Sequence, residues 1–136
     1  MSQLAHEEVT EKIIGVFYDV YNELGHGFLE AVYREAMLVA LRQAGLEVEK
    51  EVLLPVYFRG VTVGEYRADL VVDKKVIVEL KTARAIDATH EAQTLHYLKS
   101  TDMEIALLFN FGVKAQFRRL IFSNQNKKAR TAIQGG

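Results

Sequence analysis

Three charged residues, Asp69, Glu79 and Lys81, interrupt the otherwise strand-like stretch RADLVVDKKVIVELKT, residues 67–82. Its two apolar runs are joined by Asp73-Lys74-Lys75, a connection of hairpin length. Pairing about Lys74 sets Val72 opposite Val76, Val71 opposite Ile77 and Asp69 opposite Glu79. Directly opposed side chains of an antiparallel pair stand about 4.5–5.5 Å apart at Cβ, where like charges repel. A hard divalent cation such as Mg²⁺ offsets that repulsion, because it takes one or two carboxylates and fills its other positions with water and phosphate oxygens. Alternation turns Lys81 to the side of Glu79 and sends Val76, Val78 and Leu80 to the other. A lysine beside metal-bound carboxylates orients an attacking water and stabilises charge on a phosphoryl oxygen, a division of labour suited to phosphodiester hydrolysis. The same spacing also reads as a salt-bridged solvent face of an antiparallel sheet.

Periodicity indicates the helices and strands that carry these residues. Val9, Ile13, Val16, Val20 and Leu24 recur at helical spacing over His6 to Leu24, and Gly25 and Gly27 end that helix. A second helical pattern runs from Phe28 to Gly45, whose glycine suits a left-handed terminus. It carries Glu30 and Tyr33 three apart, which makes Glu30 a candidate third carboxylate; a first-turn glutamate also simply favours the helix dipole. Strand patterns follow over LEVEKEVLLPVYFRG, where Pro55 suggests an edge or a bulge, and over the two halves of the hairpin. A third helix fits DATHEAQTLHYLKS, with Asp87 or Thr89 as its N-cap and Gln93 and Tyr97 sharing a face. EIALLFNFG and AQFRRLIFS read as two further strands, and NQNKKARTAIQGG as a polar, flexible tail. The order predicts an α/β sandwich around a mixed sheet, a single domain over residues 1–123 with a tail over 124–136.

Composition narrows the chemistry further. A chain of 136 residues with 49% hydrophobic and 26% charged residues fits one globular domain. No apolar run approaches the roughly 20 residues of a membrane helix, and the first residues lack the pattern of a signal peptide, so a cytoplasmic, non-membrane protein is expected. With no cysteine, any metal must be held by oxygen or imidazole. Among the histidines, His90 and His96 share no helix face well and His26 lies in a glycine turn, which disfavours a histidine-held metal. The net charge of −1 hides an uneven spread: Lys and Arg are outnumbered by Asp and Glu in residues 1–68 and outnumber them in 69–136. Arg84, Lys114, Arg118 and Arg119 are therefore candidates for a phosphate-binding face, or ordinary solvated charges.

Gly27-Phe-Leu-Glu30-Ala-Val-Tyr33, Asp69, Glu79-Leu80-Lys81 and Gln93-x-x-x-Tyr97, in this order, resemble the GxxExxY family of the PD-(D/E)xK nuclease superfamily, from about Val9 to Ser123. The resemblance implies a restriction-endonuclease-like αβββαβ core, as in RecB-like and lambda-exonuclease-like members, with the active site on the central hairpin. By the same resemblance, Asp69, Glu79 and the Leu80 main-chain carbonyl would bind Mg²⁺ or Mn²⁺, joined by Glu30. Lys81 would position the water and the scissile phosphate, and Gln93 and Tyr97 would orient the site or contact substrate. Ala68 stands where many members have proline. The implied partner is nucleic acid, DNA in the first instance, with Arg67 and Arg84 as candidate contacts. The alternative is a catalytically inactive nuclease-fold module that binds nucleic acid or a protein. Self-association through the strand edge near FRRLIFS is a further expectation.

Overall fold

The structure is a computed structural model that describes residues 2–127. Its elements are α1 (Ser2–Leu24), α2 (Glu30–Gln43), β1 (Val48–Phe58), β2 (Val61–Val72), β3 (Val76–Lys81), α3 (Ala88–Ser100), β4 (Ile105–Phe111) and β5 (Ala115–Ile121). The strands form one five-stranded sheet in the order β1-β2-β3-β4-β5. It is mixed: β3 and β4 run parallel through the α3 crossover, and every other neighbouring pair is antiparallel. This is the expected α/β sandwich. Among the described residues, no helix is long and apolar enough to cross a membrane.

Each face of the sheet has its own core. Ile13, Phe17, Tyr33, Met37 and Leu41 from α1 and α2 pack on Leu70, Val78, Leu80, Leu107 and Phe109. On the other face, Leu98 of α3 packs with Tyr66, Ala68, Val71, Ile77 and Ala106. Two offset stacks tie the first layer to β4: Phe17 on Phe109 at 4.3 Å and Tyr33 on Phe111 at 4.1 Å between ring centroids. The second stack anchors the start of α2 to the end of β4. Helix α2 starts at Glu30, two residues later than periodicity suggests, because Gly27 adopts φ +112° and Leu29 is extended. Helix α3 begins as expected, with the Asp87 side chain accepting the His90 N–H at 3.0 Å.

The hairpin holds the expected register, Val72 with Val76, Val71 with Ile77 and Leu70 with Val78. Its regular ladder stops there, short of Asp69 and Glu79. Side-chain burial explains why. Tyr66, Ala68 and Val71 lie in the α3-side core, whereas Leu70 and Val72 lie in the α1/α2-side core, so the alternation of β2 breaks at Asp69. Strand β1 breaks at the matching place: Val48 belongs to one core, Val52 packs against the other, and Glu51 between them has φ +51°. Both strands turn over at Glu51 and Asp69 with the β1–β2 register unchanged, and the β2–β3 ladder ends beside that point.

The expected edge character of Pro55 also holds: β1 is an edge strand and its register slips between Val56 and Tyr57. Strand β5 is the other edge, with Phe117 packed edge-on to Tyr18 of α1 and Ile121 exposed. The first residues of the expected tail, 124–127, are held by the fold. Asn124 donates its N–H to Glu104 Oε2, and the buried Lys127 Nζ donates to the carbonyls of Thr101 and Met103 at 2.8 and 2.7 Å. The expected tail beyond Lys127 lies outside the described residues.

Candidate functional site at the end of the central hairpin

In the gap between β2 and β3 the two carboxylates replace the missing ladder. The Asp69 N–H donates to Glu79 Oε1 at 3.1 Å, and the Leu80 N–H donates to Asp69 Oδ2 at 2.8 Å. Each acid thus spends one oxygen on the opposite strand's backbone, which satisfies N–H groups that the splayed strands could not pair. Asp69 is half-buried and Glu79 only 9% exposed. Burial, and then the negative charge of Asp69, push the Glu79 carboxyl up to about 7, against opposing help from Tyr66, the Asp69 N–H and Lys81. A partly buried acid pair with hard oxygen donors on both strands could hold a divalent cation.

Lys81 is half-buried at the end of β3, and its charge acts on Glu79. The loop after Lys81 is held tightly at Ala83. Asn110, the β4 neighbour of Lys81, is fully buried and grips Ala83 at both ends, accepting its N–H and donating to its carbonyl, each at 2.9 Å. A Cβ at Gly112 would stand 2.2 Å from the Ala83 carbonyl oxygen, so only glycine lets the loop pass so close. Gly112→Ala is expected to destabilise the fold by about 1–3 kcal/mol, read as a lower urea midpoint at unchanged slope. A midpoint equal to wild type would show that this approach imposes no constraint.

Tyr66 is the site residue that sequence reasoning missed. Its hydroxyl acts on the Glu79 carboxyl, its ring stacks on Tyr97 of α3 at 3.8 Å and 13°, and burial beside two carboxylates raises its pKa. By simple alternation Tyr66 falls on the face opposite Asp69; only the break at Asp69 brings the two together.

The other predicted residues divide. Tyr97 is brought to the pair through Tyr66, while Gln93, one turn earlier, is exposed and lines a shallow cleft with Tyr97 and His96. Glu30 is exposed at the first turn of α2, and among the described residues no group of three or more acids or histidines is placed to hold a metal. The expected third carboxylate thus faces solvent at the start of α2. Tyr33, its motif partner, is a buried pillar whose hydroxyl donates to the Gly25 carbonyl and accepts the Phe28 N–H. Arg67 is 65% exposed and pairs with Glu51 at 3.7 Å. Arg84 is exposed in the loop after β3. A single basic face is not formed: Arg118 pairs with Glu91 of α3, whereas Arg119 lines a cavity with His6 and Thr10 of α1. Adjacent strand residues point to opposite faces.

The order of elements and the carboxylate hairpin can be set against known proteins. No curated protein sequence matches the chain. Among solved structures, the one titled "Crystal structure of SSO0001" superposes with a TM-score of 0.53 at 18% identity, covering 76% of this chain and 55% of that one. The chain thus spans little more than half of that protein, and the likeness is one of fold. A family model described as the PD-(D/E)XK nuclease superfamily matches residues 7–120, which include the whole hairpin and both acids. With the sheet, the crossover and the hairpin in place, the chain belongs to the PD-(D/E)XK nuclease superfamily.

Proposed function

We propose that the protein is a Mg²⁺- or Mn²⁺-dependent nuclease that hydrolyses DNA phosphodiester bonds at the Asp69–Glu79 hairpin. The observation that carries this reading is the reciprocal bonding of Asp69 and Glu79 across the splayed strands, which confines two carboxylates in one partly buried gap. Asp69 and Glu79 would hold the ion. A strand residue directs its N–H and C=O to the same edge, so the Leu80 carbonyl faces the gap that its N–H already enters and supplies a third oxygen. When bound, the ion supplies positive charge to the phosphoryl oxygens and lowers the pKa of a coordinated water.

The chain's own residues do the rest. Lys81, on the Glu79 side of β3, orients the attacking water and neutralises charge that builds on the non-bridging phosphate oxygens. Glu79 must release its proton before it can serve as a ligand, and Lys81 favours that release. The Tyr66 hydroxyl favours the charged form of Glu79, and the Tyr97 ring backs Tyr66. Gln93 and Glu30, both exposed, are left for substrate contacts outside the ion's immediate shell.

Incubation with linear, circular and single-stranded DNA, and with RNA, in Mn²⁺ or Mg²⁺ tests the reading. Cleavage of DNA that stops with chelator is the expected result. Intact substrates under every condition would contradict it and favour a binding module; preferential cleavage of RNA would contradict the substrate assignment alone.

A further inference from the structure

Beyond Lys81 the chain enters a cleft that the hairpin chemistry does not use. Its walls are the glycine turn before α2, with His26 and Phe28, and the loop after β3, with Thr82 and Arg84; Val113 also lines it. Arg84 follows Lys81 by three residues, which limits their Cα separation to roughly 10 Å. The cleft thus lies within reach of a nucleotide next to a phosphate that meets Lys81.

Both walls are held before anything binds. The Tyr33 hydroxyl pins the turn through Gly25 and Phe28, and Asn110 with Gly112 pins Ala83. Phe28 is 46% exposed, with its ring fixed edge-on to Tyr33 at 5.9 Å. Arg84 has no ion-pair partner among the described residues, unlike Arg34, Arg67 and Arg118. An exposed, oriented aromatic ring in one cleft with an unpaired guanidinium matches the two parts of a nucleotide, a flat base and a phosphate.

We propose that this cleft holds an unpaired nucleotide next to the scissile phosphodiester, its base stacked on Phe28 and its phosphate on Arg84. The proposal rests on the nuclease reading for the direction of the strand. An unpaired base is required because a base within a duplex has both faces covered by its neighbours. His26 and Thr82 line the same cleft and offer hydrogen-bonding groups. The site thus favours single strands, frayed ends or flaps over an intact duplex.

Fluorescence anisotropy with a labelled single-stranded oligonucleotide and a closed-end duplex, in chelator to prevent turnover, tests this. Phe28→Ala is expected to weaken single-strand binding roughly ten-fold or more and to change duplex binding little, while Phe28→Trp keeps the wild-type affinity. Arg84→Ala is expected to reduce the slope of log affinity against log salt by about 0.7 on the single strand. Melting curves of each variant check that the fold persists; Phe28→Trp keeps the comparison valid if Phe28→Ala does not fold. Single-strand affinity unchanged in both Phe28→Ala and Arg84→Ala, or an equal loss on both substrates, overturns the proposal. If wild type still cleaves in that case, the cleft assignment falls and the nuclease reading stands; if wild type neither cleaves nor binds, both fall. Unchanged oligonucleotide binding with a Phe28→Ala protein that elutes as a smaller species would assign the surface to a protein contact instead.

Discussion

Lys81→Met is expected to lower the rate of metal-dependent cleavage by roughly 10²–10³-fold while leaving Mn²⁺ binding near the wild-type level at pH 8. The loss is that of one preorganised positive group facing developing charge, in a site where solvent is partly excluded. Methionine retains the length and apolar stem of the half-buried side chain, so packing changes little. A second effect has a fixed sign. Lys81 lowers the Glu79 pKa, so its removal lets that pKa rise further, and the pH at which the ion is taken up moves upward. Cleavage that survives the change at the wild-type rate would remove Lys81 from the mechanism.

Glu79→Gln has the larger expected effect on activity, a loss of at least about 10³-fold, because one of the two charged oxygen donors goes. Its effect on stability is opposite. In the metal-free protein the carboxyl stands near 7 when folded and near the ordinary 4.5 when unfolded. Between those values the folded state keeps a proton that the unfolded state releases, so the contribution of Glu79 to stability is greatest below about 4.5 and falls as pH rises to about 7. The whole decline is about 3 kcal/mol. Glutamine retains an oxygen for the Asp69 N–H and carries no charge, so the variant should melt several degrees higher than wild type at pH 8 in chelator. Its melting temperature should also lack that step. A difference in melting temperature between Glu79→Gln and wild type that does not grow across this window would contradict the buried-pair geometry.

Much of this architecture can be read in the sequence, for identifiable reasons. Apolar residues at helical spacing place α1 and α2, Asp87 places the start of α3, and the hairpin register follows from the symmetry of two apolar runs about Lys74. The features that escaped the sequence depend on backbone conformations that residue type does not announce. Glu51 takes a left-handed φ without being glycine, and the turnover of β1 and β2 that goes with it moves Tyr66 from the opposite face onto Glu79. Asn110 reads as one polar residue in an apolar strand, yet it is the buried grip on Ala83. Glu30 and Tyr33 share a motif, but the tyrosine serves the turn and the glutamate faces solvent. Lys127 sits in a polar run that suggests a free tail, and only the carbonyls of Thr101 and Met103 show that the chain is still anchored there.

The central claim, that Asp69 and Glu79 together form a divalent-ion site, is tested most directly by calorimetric titration of Mn²⁺ into wild type, Asp69→Asn and Glu79→Gln at pH 8. Binding to one site in wild type and its loss in both variants, each still folded by its melting curve, is the predicted result. Equal Mn²⁺ affinity in all three proteins would contradict the account.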